Sequence, residues 1–296
     1  QEITMPLDED KYPTESGRRR FVKGVVGSAA LGGVATGGTA AINLTTSSTG
    51  AGGGITQYVA IENTAGPAPR GMPMIPIEIT SAGELKGYWP EVKEVTEQGR
   101  TFSVAEEDIG GITYSSSWFQ YCGVQTYAGA QPDADQDNFF RATAAPGELT
   151  WQSEVETGEV LTVDMFDDYE EWGNGIGRSG LGKPAAGSWR SEGDDVQTMP
   201  IQVLRTPELP KMINGEGKYS EIPQEVRSFL DAATEQNFMA WLDKCTHFCC
   251  VPHFKAYPGS EKFNGEDGVY CQCHQSVYDP FSPVQVTFTA LPRPQS

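Results

Sequence analysis

Two short boxes decide the reading of this chain: Cys245-Thr246-His247-Phe248-Cys249-Cys250 and, after twenty intervening residues, Cys271-Gln272-Cys273-His274-Gln275-Ser276-Val277-Tyr278-Asp279. Five of the six cysteines fall between positions 245 and 273, a clustering that implies a metal site, a disulfide, or both. Each box offers a histidine close to a cysteine that opens it. Two thiolates with two imidazoles are a zinc ligand set, among others. Structural zinc sites favour two or more residues between paired ligands, whereas a single residue separates Cys245 from His247. That spacing weighs against zinc. His253, the remaining histidine, reads as a loop residue and not as a ligand.

The boxes resemble those of Rieske iron-sulfur proteins of the quinol-oxidising, cytochrome bc type. The resemblance implies a 2Fe-2S cluster on Cys245, His247, Cys271 and His274, two thiolates holding one iron and two imidazoles the other. It implies a Cys250–Cys273 disulfide pinning the two box loops together, a bond that Rieske oxygenases and soluble Rieske ferredoxins generally lack. Ser276 matches the serine that hydrogen-bonds a bridging sulfide, and Tyr278 the tyrosine that bonds a ligand-cysteine sulfur. Such donors stabilise the reduced, more negative cluster and raise its potential. Leu291-Pro292-Arg293-Pro294 stands where the family has a proline loop shielding the cluster. The sequence departs from the family at Cys249 and Gln275, where glycine is usual, and at Gln272, where proline is common. Cys122 and Cys249 are left over, paired or free. The chain also ends soon after the proline loop, so either the C-terminus is cropped or another segment, such as 74–80, supplies the closing strand.

Working outward, the balance of charge excludes some functions. Forty acidic residues face 21 basic ones in 296, for a net charge of -19. A polyanionic surface repels nucleic acid phosphates, so no nucleic acid partner is expected. Acid spread over most of the chain reads as the solvated surface of a halophile's protein, where counterions screen self-repulsion. The alternative is an acidic protein that docks a basic partner.

Toward the N-terminus, Arg18-Arg19-Arg20-Phe21-Val22-Lys23 precedes a stretch, 24–61, without a charged residue. The cluster resembles a twin-arginine export signal, which suits a domain that crosses the membrane folded. The weakly apolar, glycine-rich residues 24–44 are long enough to span a bilayer as a helix, with Gly33 and Gly37 in a G-x-x-x-G spacing. Thr39-Ala40-Ala41 can instead be read as a cleavage site. As an anchor, the segment places the chain in the cell membrane as a single-pass protein, N-terminus cytoplasmic and head domain extracytoplasmic.

The expected organisation is a cytoplasmic tail (1–23), a transmembrane anchor (24–44), a Gly/Ser/Thr-rich hinge (45–55), an additional β-rich region (56–154) and a head domain (155–296). The fold class is mainly β. By resemblance it is a Rieske domain, an antiparallel β-sandwich with a cluster-binding subdomain, and 56–154 is an insertion outside the resemblance. Strand-like runs lie at 56–61, 74–80, 160–165, 201–204 and 284–289. One helix is expected at 223–234, with Pro223 in its first turn and Val226, Phe229, Leu230 and Ala233 on one face. Gly177 to Lys183 satisfies part of a P-loop pattern, but Pro184 occupies the Ser/Thr position, so the stretch reads as a surface loop.

The resemblance implies an electron-transfer subunit of a quinol:acceptor oxidoreductase in a respiratory chain. Its partners would be quinol and a cytochrome b subunit on the donor side, a c-type cytochrome or copper protein on the acceptor side, within a dimeric complex. His274 is the expected quinol contact, with His247 beside it. Two rivals stand beside this reading: the Rieske small subunit of a molybdenum oxidase such as arsenite oxidase, and a structural zinc-binding domain without redox function.

Overall fold

The 56–61 run is the middle of β1 (Gly54–Ala65) in the computed structural model, which describes residues 54–97, 100–191 and 198–290. The 74–80 run divides into β2 (Met72–Ile75) and β3 (Ile77–Ile79). Pro76 makes the break: it has no N–H for a ladder, and its carbonyl instead accepts from the Tyr88 N–H at 2.8 Å. β3 pairs with β4 (Leu85–Gly87), and a meander of β5 (Val92–Glu97), β6 (Arg100–Ile109) and β7 (Ile112–Ser115) follows.

The remaining strands are β8 (Arg141–Ala142), β9 (Lys183–Trp189), β10 (Met199–Arg205), β11 (Phe238–Leu242), β12 (His253–Phe254), β13 (Val269–Cys271) and β14 (Ser276–Ala290). With β1 and β2 they form a nine-stranded sheet in the order β12-β13-β14-β1-β2-β11-β10-β9-β8, its pairs antiparallel. The described architecture is therefore mainly β. The strand beside β14 is β1, paired from Gly54↔Ala290 to Ala65↔Val277. Thus β1 and β2, from before residue 154, lie in the same sheet as β9 to β14, from after it.

Among the described residues two short α-helices interrupt the strands, α1 (Leu209–Asn214) and α2 (Gln224–Ala233). Pro223 is the N-cap of α2, Glu225 faces the positive end of its dipole, and Val226, Phe229, Leu230 and Ala233 are buried as the periodicity requires. Phe229 packs on Trp118 with ring centroids 5.6 Å apart, tying the helix to a segment more than a hundred residues earlier. Trp118, Trp189 and Trp241 are fully buried in one core that draws on β1, β2, β9, β10 and β11.

One expected strand is not found. Within 160–165, Val160 makes only an isolated bridge to Arg141, and Val163–Phe166 is a 3-10 turn. The Thr162 hydroxyl donates to the Asp164 carboxylate there, a local bond that favours the turn over a ladder. Lys183, at the end of the P-loop-like stretch, opens strand β9 and not a helix, with its Nζ 2.7 Å from Asp168.

No helix among the described residues is long and apolar enough to cross a membrane. The expected tail and anchor (1–44), nearly all of the hinge and the Leu291–Pro294 loop lie outside the described residues.

Candidate metal centre

Both boxes sit at strand ends, and both adopt the same backbone form. β11 runs out at Leu242 and delivers Cys245 at 0% exposure. The Cys245 N–H then donates to the Cys250 carbonyl at 2.7 Å, while the Cys249 N–H returns to the Cys245 carbonyl at 3.0 Å. In the second box, β13 ends at Cys271, which pairs with Ser276 as β14 begins. The Gln275 N–H donates to the Cys271 carbonyl at 2.9 Å. Each loop thus closes four residues after its first cysteine, and the closing residue has positive φ: 63° at Cys249 and 62° at Gln275. These are the two positions at which the boxes that this sequence resembles usually carry glycine. An L-residue in that region costs about 1–2 kcal/mol, which explains why glycine suits it.

The exposed Gln275 is a test of this account. Gln275→Gly removes the Cβ penalty at the cost of a more flexible unfolded chain, so a net gain of about 0.5–1 kcal/mol is expected. Thermal unfolding should rise by about 1–4 °C; a fall would show that the turn is not strained.

The six cysteines divide into two classes. Cys250 and Cys273 form a disulfide joining the two loops, and Cys122 and Cys249 form a second, which ties the first loop to the segment after β7. Cys245 and Cys271 remain as thiols, both buried. The Sγ atoms of Cys250, Cys271 and Cys273 lie within 4.8 Å of one another, a grouping with the spacing of a metal site. Two of those sulfurs are already bonded to each other, which leaves Cys271 as the available ligand of the three.

Cys245 and Cys271 are hydrogen-bonded to each other, and this governs their acidity. The bond from Cys271 draws the Cys245 thiol down to about 5, against the opposing effect of burial, with help from the Tyr278 hydroxyl and the N–H groups of His247 and Phe248. Cys271 is pushed up by the same bond and by burial. The pair sheds one proton readily and is predisposed to present a thiolate to a cation.

The histidines complete the group. The His247 and His274 rings lie edge to face with centroids 4.7 Å apart. His247 Nδ1 is buried and has no hydrogen-bond partner. A buried ring nitrogen left unpaired costs free energy unless something absent from the protein atoms satisfies it, and a metal ion does so. Two thiols outside the disulfides, an orphaned imidazole nitrogen and a second imidazole fit the ligand set of a metal centre. His274 and Phe248 are exposed at the tip, the latter at 64%, with ring centroids 4.9 Å apart.

The surrounding polar groups are also in place. The Tyr278 hydroxyl, fully buried, donates to Cys245 Sγ at 3.2 Å and accepts from the Thr246 N–H at 3.0 Å. Ser276 Oγ, at 0% exposure, accepts from the Ala68 N–H at 3.2 Å, which leaves its own proton free to donate. His253 does not join the group; it pairs through Nδ1 with Asp243 Oδ2 at 2.8 Å.

One part of the site is missing from the sequence reading. Between β1 and β2 runs Gly66-Pro67-Ala68-Pro69-Arg70, and it packs against both boxes. Its Ala68 bonds Ser276, its Arg70 carbonyl accepts from the Thr246 hydroxyl at 2.6 Å, and a Cβ on Gly66 would stand 2.5 Å from the Gln275 carbonyl oxygen. Two prolines and a glycine within four residues mark a fixed turn. The signal was present; its contact with boxes some 180–210 residues later was not.

Compared with known proteins, the chain matches no family model, no curated protein and no solved structure.

Proposed function

We propose that this chain is a Rieske-type electron-transfer protein, with Cys245, His247, Cys271 and His274 as the ligands of a 2Fe-2S cluster. The observation that carries the reading is the division of the cysteines. Four are spent in disulfides, and the two left as thiols are hydrogen-bonded to each other beside His247, whose Nδ1 is buried and unpaired. When bound, the cluster supplies a one-electron acceptor whose potential is raised by imidazole in place of thiolate.

The remaining chemistry belongs to the chain. Tyr278 donates to the sulfur of Cys245, which stabilises extra negative charge on that thiolate. Ser276 holds a fully buried hydroxyl proton within the second box. His274 projects an exposed imidazole, able to accept a hydrogen bond and then the proton of a hydroxyl donor. A quinol is such a donor: on giving one electron to the group that Cys245, His247, Cys271 and His274 would hold, its hydroxyl would become far more acidic, and the exposed His274 ring would take the proton. On this reading quinol and a cytochrome b subunit are the donor side, and a c-type cytochrome or copper protein is the acceptor. Membrane attachment through 24–44 belongs to the same proposal.

The test is a low-temperature EPR spectrum of the dithionite-reduced full-length chain, with iron, sulfide and zinc measured on the same sample. A rhombic signal of a histidine-ligated 2Fe-2S centre is expected, and it should vanish in His247→Ala and in His274→Ala. Stoichiometric zinc with no signal would sink the electron-transfer reading and leave a structural metal domain.

A further inference from the structure

Arg70 is a cation without a carboxylate. Its guanidinium carbon lies 5.0 Å from the ring centroid of Phe288, 5.2 Å from that of Tyr121 and 5.9 Å from that of Tyr58. Three aromatic faces thus hold it, and among the described residues no acidic side chain pairs with it. Arg141, Arg178, Arg205, Lys86, Lys183 and Lys211 each meet an Asp or Glu, whereas Arg190, Arg227 and Lys244 are held, like Arg70, by neutral groups.

Its surroundings point at the metal centre. The Arg70 carbonyl accepts from the Thr246 hydroxyl at 2.6 Å, and Thr246 stands between Cys245 and His247. Tyr121, one wall of the cage, donates through its hydroxyl to the Lys244 carbonyl at 2.9 Å, next to Cys245. One tyrosine ring therefore spans the distance from the guanidinium to the backbone of the first box. Tyr58 and Tyr121 are buried, so the field of Arg70 acts through packed side chains and is weakly screened on that side. A second cation, the buried Lys244, gives its Nζ to the Tyr127 hydroxyl at 2.6 Å and also lacks a carboxylate. Asp243 is the acid of this wall, and it is engaged elsewhere, its Oδ2 lying 2.8 Å from His253 Nδ1.

We propose that Arg70 is a positioning residue of the electron-transfer site, a fixed positive charge held by Tyr58, Tyr121 and Phe288 that raises the reduction potential of the centre. The inference rests on the cluster reading above. An arginine stays charged at every working pH, so its contribution is permanent, and it adds to the hydrogen bond from Tyr278. The cage keeps the guanidinium from swinging out to a surface carboxylate, which would cancel its field.

The experiment is a potentiometric EPR titration of the full-length chain and three variants. Arg70→Gln is expected to lower the midpoint potential by an amount corresponding to about tenfold in the one-electron equilibrium, ~59 mV, with unchanged g values. Arg70→Lys, which keeps the charge, should recover most of that. Phe288→Glu offers the guanidinium a carboxylate without touching Arg70 and should lower the potential in the same sense; it decides the matter if Arg70→Gln does not assemble. A wild-type potential in Arg70→Gln, or in Phe288→Glu, with the signal intact overturns the role of Arg70 and leaves the cluster reading standing. Absence of the signal from the unmodified chain overturns the cluster reading itself, and this proposal with it.

Discussion

Cys250→Ser/Cys273→Ser is expected to empty the candidate metal centre, whereas Cys122→Ser/Cys249→Ser is expected to destabilise the protein more and lose much less metal. The two disulfides separate these effects because they close loops of different size in different places. The Cys250–Cys273 bond spans a sequence separation of 23, and loop-closure entropy alone assigns it about 3 kcal/mol. The Cys122–Cys249 bond spans 127, for about 5 kcal/mol on the same reasoning. Yet it is the shorter one that joins the first box to the second. Without it the box loops are held together by the Cys245–Cys271 contact, the Tyr278 hydroxyl and the two imidazole rings. Both cysteines must be replaced together, since a freed Cys273 thiol would lie within 4.8 Å of Cys271 and compete as a ligand. Iron content and EPR intensity read occupancy, and thermal unfolding reads stability. Equal metal loss in both double variants would mean that the second disulfide also shapes the ligand set.

Gly66→Ala should cost about 2–4 kcal/mol, from the positive-φ penalty and overpacking together, and should disturb the second box from a distance of more than two hundred residues in sequence. Gly66 has φ of 81°, and a Cβ there would meet the Gln275 carbonyl oxygen at 2.5 Å and Ser276 Cα at 2.6 Å. Both are backbone atoms of the loop that carries His274, so neither can rotate aside. The proline-bearing turn would have to lift, breaking the Ala68–Ser276 bond and loosening the Arg70–Thr246 bond. Gly158→Ala is the control: it also has positive φ, 91°, but nothing lies within 4 Å of the new Cβ. The difference between the two variants in denaturant unfolding isolates the contact, and a broadened or shifted EPR line in Gly66→Ala alone locates it at the site. Equal costs would mean that the turn does not bear on the box.

The proximity of the candidate ligand residues within each box and the helix were legible because their causes are local. Cysteine and histidine within three residues must lie near each other in any fold, and Val226, Phe229, Leu230 and Ala233 share a face by helical geometry alone. Cys249 and Gln275 were legible as departures, though only the backbone gives the reason, a positive φ at each loop closure. The 160–165 run misled because a short alternation looks the same whether it joins a ladder or closes in a turn.

By itself, then, the sequence determined which residue types could bind a metal, that the chain would be mainly β and that its surface would be acidic. Tertiary structure decided the partners: β1 beside β14, Cys122 with Cys249, the 66–70 turn against both boxes, and Arg70 between aromatic rings instead of beside an acid. The first three of these pairings join residues some 120–240 apart, and no periodicity or spacing encodes them. They follow from which surfaces bury each other once the sheet forms, a question of three-dimensional packing that local pattern does not pose.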